Sequence, residues 1–412
     1  MLCNLSKTKL LLITLLAAIV VVGITLGLVF GLRNGNSEGQ DSKSPALRGG
    51  AVVSNGHECG AIGANILRRN GSAVDAAIAI MLCEEVTCPQ STGIGGGFLA
   101  TIYERETGEV ISLDARETAP LAATEDMFVN NGDAAVEGGL AIATPGVIKG
   151  YWEMHQRYGK LEWKALFEET IELCRNGVVV DDFLRYAMVD KRQIILSVPS
   201  LREVFINPET EDVWQVGDLL KRVVLADTLE IIAEEGVDAL HKEGGSLLSK
   251  LVADLQEFGS IITKEDFIQY KPRWLPPAST TVRQNYSVYS MPLPGSGTIA
   301  IYILNLLDGY DDLRPDDPVT WHRVTEAFMH AYGARTRAGD PDFVSDIDKL
   351  IDDLGSKSYA DDIRTKIDDD RTFTEYKYYG AEFAEQEDHG TAHASVLAPN
   401  GDAVAITGTI NT

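Results

Sequence analysis

Residues 10–32, LLLITLLAAIVVVGITLGLVFGL, form a run of 23 residues without a charge. As a helix rising about 1.5 Å per residue it spans roughly 34 Å, enough to cross a ~30 Å hydrocarbon core. Such a run commits whatever follows it to one side of a bilayer. Lys7 and Lys9 precede it and Arg33 follows, a small bias that favours the short N-terminus inside. A cleaved signal peptide is the rival reading, but its apolar stretch is about 7–15 residues, shorter than this run. The sequence thus reads as a cytoplasmic tail at 1–9, an uncleaved transmembrane signal-anchor at 10–32 and a polar stalk at 33–48, with the remainder outside the cytosol.

Two sequons agree with that side of the membrane: Asn70-Gly71-Ser72 and Asn285-Tyr286-Ser287. Sequons also arise by chance, and Asn4-Leu5-Ser6 would face the cytosol. Of five cysteines, Cys59, Cys83, Cys88 and Cys174 follow the anchor, so one or two disulfides are allowed and spacing does not fix the pairing. Cys3, at the membrane edge, is a palmitoylation candidate.

Length fits two to three domains or one large two-layer fold. A hydrophobic content of 45% with 24% charged residues excludes wholesale disorder, collagen and coiled coil. The net charge of −25 repels phosphate backbones and argues against nucleic acid as a partner. No repeat of 20–50 residues is visible. Strands are expected at 50–53, 98–103, 110–114, 280–290, 392–397 and 403–406, the last two flanking an Asn400-Gly401 turn. Helices are expected at 59–69, from a Ser72 cap with Asp75 to Leu82, and at 146–158, 163–174, 226–235, 246–258 and 318–337. Helices flanked by strands at both ends point to a layered α+β fold, in which strands 98–114 and the 392–406 hairpin share a sheet.

Among residues able to carry chemistry, Gly93-Ile94-Gly95-Gly96-Gly97 permits close backbone approach. It leads into a strand, whereas phosphate-binding fingerprints lead from strand to helix, so a tight turn under another segment is the plainer reading. Pro294-Gly295-Ser296-Gly297-Thr298 precedes a helix but lacks the P-loop Lys. No metal site is expected: His389 and His393 would stand about 13 Å apart on a strand, and no paired Cys-x-x-Cys occurs. His322 shares a helix with Trp321, Val324 and Phe328 at core spacing and reads as structural. The acidic run 361–370 reads as a solvated face. In His389-Gly390-Thr391-Ala392-His393, a Thr after Gly at a strand head can attack the preceding carbonyl if the peptide is strained. The cut frees an α-amino group that serves as base for the same hydroxyl. On spacing alone an ordinary strand threonine is the plainer reading.

Taken together, these segments strongly resemble the gamma-glutamyltransferase, or glutathione hydrolase, family from about residue 51 to residue 412. The carrying motifs are Asn70-Gly71-Ser72-Ala73-Val74-Asp75-Ala76-Ala77, Thr92-Gly93-Ile94-Gly95-Gly96-Gly97, Asp114-Ala115-Arg116-Glu117-Thr118-Ala119-Pro120, Gly339-Asp340-Pro341 and Gly390-Thr391-Ala392-His393. The resemblance implies an N-terminal-nucleophile αββα sandwich and no cofactor. It implies self-cleavage between Gly390 and Thr391 into a large-subunit region (49–390) and a small-subunit region (391–412), and Thr391 as nucleophile. It implies glutathione and other γ-glutamyl compounds as donors, and water, amino acids or dipeptides as acceptors. Arg116 matches the arginine that grips the substrate α-carboxylate, a pairing that suits a guanidinium fork. Thr409 matches a threonine that bonds near the nucleophile, and Asn411 an asparagine at the substrate's amino-acid end. Cys59 and Cys83 match a disulfide of animal members. Eukaryotic members are type II plasma-membrane proteins with the catalytic region outside, which fits the anchor.

Two departures stand out. A second cysteine pair of some animal members is missing from Ser200-Leu201-Arg202-Glu203-Val204-Phe205. Only 22 residues follow Gly390, whereas the family's small subunit is much longer. It supplies the acidic residues for the substrate amine, a serine pair and the oxyanion-hole Gly-Gly. One lost oxyanion donor costs about 3–4 kcal/mol in an acyl-transfer site. The expectation is a truncated or incompletely predicted chain with an incomplete sandwich, without turnover and with little self-cleavage. Two alternatives remain open: a non-catalytic, membrane-anchored binding or decoy module, and a related acylase with another amide substrate.

Overall fold

The computed structural model describes residues 49–384 and 390–411. The anchor and stalk expected at 10–48 and His389 lie outside the described residues. Among those described, no helix is long and apolar enough to cross a membrane.

The architecture is mixed helix and sheet. Strands β1 (Ala51–Val53), β2 (Gly97–Glu104), β3 (Glu109–Ala115), β4 (Arg273–Leu275), a hairpin of β5 (Ala278–Val282) and β6 (Tyr286–Ser290), β7 (Ala392–Leu397) and β8 (Ala403–Thr409) are joined by helices. Six of the strands build one antiparallel sheet in the order β1-β7-β8-β2-β3-β4. The hairpin that the alternating sequence marked, residues 392–409, therefore sits inside the sheet beside β2. Its turn uses Gly401 at φ +93°. The Asp402 carboxylate accepts the Arg105 N–H at 2.9 Å and ties this hairpin to the β2–β3 turn.

Helix α1 (Cys59–Arg68) and helix α2 (Ala73–Thr87) cover one face of the sheet. The α2 sequence has no polar face, and all fifteen of its residues are buried. Its start is fixed by a capping box: Ser72 Oγ accepts the Asp75 N–H at 3.0 Å and Asp75 Oδ2 accepts the Ser72 N–H at 2.9 Å. Along β7, Ala392, Ala394 and Val396 face this helical layer, while Thr391, His393 and Ser395 stand on the other side. Cys59 and Cys83 are disulfide-bonded across the two helices, and Cys88 and Cys174 are free and buried.

Because α2 is buried all round, its two glutamates are core groups. Glu84 Oε1 accepts the Gly56 N–H at 2.7 Å, and Tyr151 donates to Glu85 Oε1 at 2.6 Å. Burial pushes the Glu85 carboxyl up to about 8. Its neutral form is the one the fold accommodates. The stability it contributes is full below the ordinary carboxyl value and is lost as pH rises toward 8. Glu85→Gln is expected to leave stability at pH 5 nearly unchanged and to raise it by about 4 kcal/mol at pH 8, measured by urea unfolding at both pH values.

Three expectations are corrected. Residues 280–290 are a hairpin rather than one strand: Arg283 and Gln284 take φ of +49° and +61° and reverse the chain without a glycine to signal it. The helix expected at 163–174 divides into a 3-10 turn, Trp163–Leu166, and a helix, Glu168–Asn176. Trp321 and Phe328 are 58% and 45% exposed. The helix that carries them, α5 (Pro318–Arg335), comes after α3 (Val147–Tyr158) and α4 (Gly297–Asp308). It buries its small residues Ala327, Ala331, Gly333 and Ala334 instead, with Glu326 and His330. The reason is close approach, since a Cβ on Gly333 would lie 2.1 Å from the Tyr379 carbonyl oxygen. Tyr379 also donates to the buried Glu326 carboxylate at 3.1 Å. His322 is structural as expected, bonded through Nε2 to the Asp368 carbonyl at 2.8 Å.

Candidate active site

Register alone gathers the site. Ala392 pairs with Gly408, Thr409 with Gly97, and Phe98 with Ala115. One step along each ladder places Thr391, Thr409, Gly97 and Arg116 in a row across four neighbouring chains at one end of the sheet. Adjacent chains in such a row are about 4.8 Å apart.

Thr391 Oγ1 donates to the Gly408 carbonyl at 2.6 Å, which holds the hydroxyl against β8. Thr409 is buried and its Oγ1 accepts the Asn411 N–H at 3.0 Å. Asn411, at φ +81°, turns back so that its Oδ1 meets Arg116 Nη2 at 3.5 Å. The Arg116 guanidinium also pairs with Glu117 at 2.8 Å.

The glycine-rich segment is a turn packed beneath this row. Gly96 N–H bonds to the Gly93 carbonyl at 2.9 Å, and a Cβ on Gly96 would stand 2.0 Å from the Thr409 carbonyl oxygen. The Pro294–Thr298 segment likewise serves as a helix start, with a Cβ on Gly297 only 2.1 Å from the Met291 carbonyl.

Asn70 and Asn285 are both exposed, on a turn before α2 and at the β5–β6 turn. His393 bridges two hydroxyls: Nδ1 meets Thr407 Oγ1 at 2.7 Å, Nε2 meets Ser395 Oγ at 3.0 Å, and partial burial lowers its pKa. Among the described residues no group of three or more His, Cys, Asp or Glu could hold a metal ion.

Sequence reasoning did not single out four contributors. Asn55 Oδ1 accepts the His393 N–H at 2.9 Å, extending the β1–β7 ladder past the end of β1. The loop bearing Asn55 is stapled to α2 by the Gly56–Glu84 bond and the Cys59–Cys83 disulfide. Tyr270 donates to the Arg116 carbonyl at 2.8 Å, and the Asp114 carboxylate accepts the Arg116 N–H at 2.9 Å. Arg273 grips Asp114. Asp114 belongs to one of the family motifs, but Asn55, Tyr270 and Arg273 have no local signal.

The disulfide closes a loop of 24 residues of sequence. Removing it with Cys59→Ala and Cys83→Ala together is expected to cost about 3 kcal/mol in urea unfolding.

A family model for gamma-glutamyltranspeptidase matches residues 59–412. The chain belongs to the gamma-glutamyltranspeptidase family. Among its curated relatives, Scoloptoxin SSD14 of Scolopendra dehaani is 39% identical over 90% of this chain and 65% of that protein. Glutathione hydrolase 2 of Arabidopsis thaliana is 37% identical over 94% of this chain and 66% of that protein. The chain therefore spans a little under two thirds of these relatives. Among solved structures, gamma-glutamyltranspeptidase of Helicobacter pylori superposes with a TM-score of 0.73 at 31% identity, covering 82% of this chain and 95% of that one. Cephalosporin acylase of Bacillus halodurans shares the fold, with a TM-score of 0.74 at 23% identity over 90% of this chain and 69% of that one.

Proposed function

We propose that the assembled protein is a glutathione hydrolase and γ-glutamyltransferase. The reading rests on one observation: in a member of this family, the sheet register brings Thr391, Thr409 and Arg116 into one row. Thr391 Oγ attacks the Gly390 carbonyl carbon, the Gly390–Thr391 C–N bond breaks to an ester, and water hydrolyses that ester. The products are a Gly390 carboxylate and a free Thr391 amine. That amine then takes the proton from the Thr391 hydroxyl as the oxygen attacks the γ-glutamyl carbonyl. The dipeptide amine leaves with a proton. Water or the amine of an amino acid or dipeptide then resolves the acyl-enzyme.

Arg116 offers its fork to the donor α-carboxylate, with Asn411 beside it at the amino-acid end and Thr409 supporting the nucleophile. The side of the sheet bearing Thr391 receives the second sheet of an αββα sandwich from the small subunit, the partner retained after self-cleavage. An N-terminal anchor at residues 10–32 holds the protein in the plasma membrane as a type II protein, with glycans on Asn70 and Asn285.

The experiment uses the product of the complete coding sequence, assayed with γ-glutamyl and α-glutamyl anilides and mass-mapped for a new N-terminus at Thr391. Release from the γ-linked substrate together with that terminus supports the reading. Turnover of the α-linked anilide alone, or activity in an uncut chain, overturns it.

A further inference from the structure

The Gly339-Asp340-Pro341 motif has no role in the chemistry above, yet the structure connects it to Arg116 through a residue no motif contains. Arg273 lies directly opposite Asp114 in the β3–β4 register. Its Nε and Nη2 both donate to Asp114 Oδ2, at 3.1 and 2.6 Å. Its remaining nitrogen, Nη1, points the other way, donating to Asp342 Oδ2 at 2.9 Å and lying 3.6 Å from Asp340 Oδ1. The 340–344 segment is folded on itself: Asp340 Oδ1 accepts the Asp342 N–H at 3.0 Å, and its carbonyl accepts the N–H groups of Phe343 and Val344.

Asp114 is 4% exposed. A carboxylate taken that far from water is tolerated when it is paired and hydrogen-bonded. Oδ2 is committed to Arg273, and Oδ1 is the acceptor for the Arg116 N–H at 2.9 Å. The Arg116 carbonyl is held from the other side by the buried Tyr270 hydroxyl. Both polar groups of the Arg116 backbone are thus fixed, one of them by a carboxylate whose own orientation is set by the Arg273 fork. The planar fork can do this and an ammonium cannot, because the fork places two rigidly spaced donors on the one oxygen Oδ2 while its third nitrogen reaches the 340–342 turn.

We propose that Arg273, braced by Asp340 and Asp342, is a positioning residue that acts through Asp114 to fix the backbone of Arg116 and so aim its guanidinium at the donor carboxylate. The inference rests on the functional reading of Arg116 given above. It makes the 339–342 turn an outer brace of the substrate clamp rather than a part of the reacting machinery.

Arg273→Lys keeps the charge, and so a partner for buried Asp114, but removes the fork. Hydrogen exchange followed residue by residue decides the structural half without any need for catalysis. The Arg116 amide should exchange at least about tenfold faster while amides of β2 stay protected. Unchanged exchange at Arg116, or a parallel rise throughout β2, would overturn the proposal. With the complete gene product and a γ-glutamyl anilide, the donor KM should rise about tenfold with kcat within about twofold. The rise should not multiply with that of Arg116→Lys in the double variant. An unchanged KM, or effects that multiply, would refute transmission through Arg116. If the parent protein turns over no γ-glutamyl donor, the functional reading fails, and the exchange data still judge the clamp.

Discussion

Thr391→Ala leaves the complete gene product uncut at Gly390 and lowers turnover of a γ-glutamyl anilide by at least about 10⁴-fold, the scale on which loss of an acyl-transfer nucleophile is felt. In the proposed mechanism two separate steps depend on the one oxygen. Without it there is no attack on the Gly390 carbonyl, so the α-amine that would act as base is never freed, and there is no atom to carry the acyl group. Thr391→Ser keeps the oxygen and should still cut, which separates lost chemistry from lost folding. The fold itself should be indifferent to either change, because Thr391 points away from the α1–α2 layer and its hydroxyl bonds to the Gly408 carbonyl rather than into that core. Gel shift and mass mapping read the cut, and an unchanged circular dichroism spectrum certifies the fold. Full activity in the alanine variant would end the assignment of Thr391 as nucleophile.

Gly96→Ala is expected to destabilise the protein by about 3 kcal/mol in urea unfolding and to impair the Gly390–Thr391 cut along with it. The added methyl would sit 2.0 Å from the Thr409 carbonyl oxygen and 2.9 Å from its carbon, both main-chain atoms of a central strand. No rotamer change relieves a clash with backbone, so β8 must shift relative to β2, and Thr409 shifts with it. The neighbouring Gly95→Ala is the control: nothing lies within 4 Å of its added carbon, and its effect should stay within about 0.5 kcal/mol. Equal effects at the two positions would show that loop flexibility, not the packing under Thr409, is what the glycines provide.

The parts of the fold legible in the sequence were those with a local physical signature. The Ser72–Asp75 box and the apolar run behind it specify a buried helix through contacts a few residues apart. The alternating residues around Asn400-Gly401 specify a hairpin. Legibility stopped where tertiary contacts decide. Arg283 and Gln284 turn the chain at positive φ without glycine, so 280–290 read as one strand. Trp321 and Phe328 look like core by type, but the small residues of the same helix are what allow Tyr379 to approach. In the site, Thr391, Arg116, Thr409 and Asn411 were nameable through family motifs. Asn55 and Arg273 act across 338 and 159 residues of sequence separation, respectively, and carry no pattern a local reading can detect.

The placement of β7 and β8 inside the sheet also sets a timetable for biogenesis. Ala403 pairs with Tyr103, its counterpart across 300 residues of sequence. At roughly 5–20 residues per second, a ribosome delivers the second partner some 15–60 s after the first. Throughout that interval the edge of β2 that β8 will occupy is an unfilled slot, able to recruit a foreign strand. Nascent chains should therefore be a chaperone client until residues 392–409 emerge, and the proposed scission at Gly390 could only follow that late insertion.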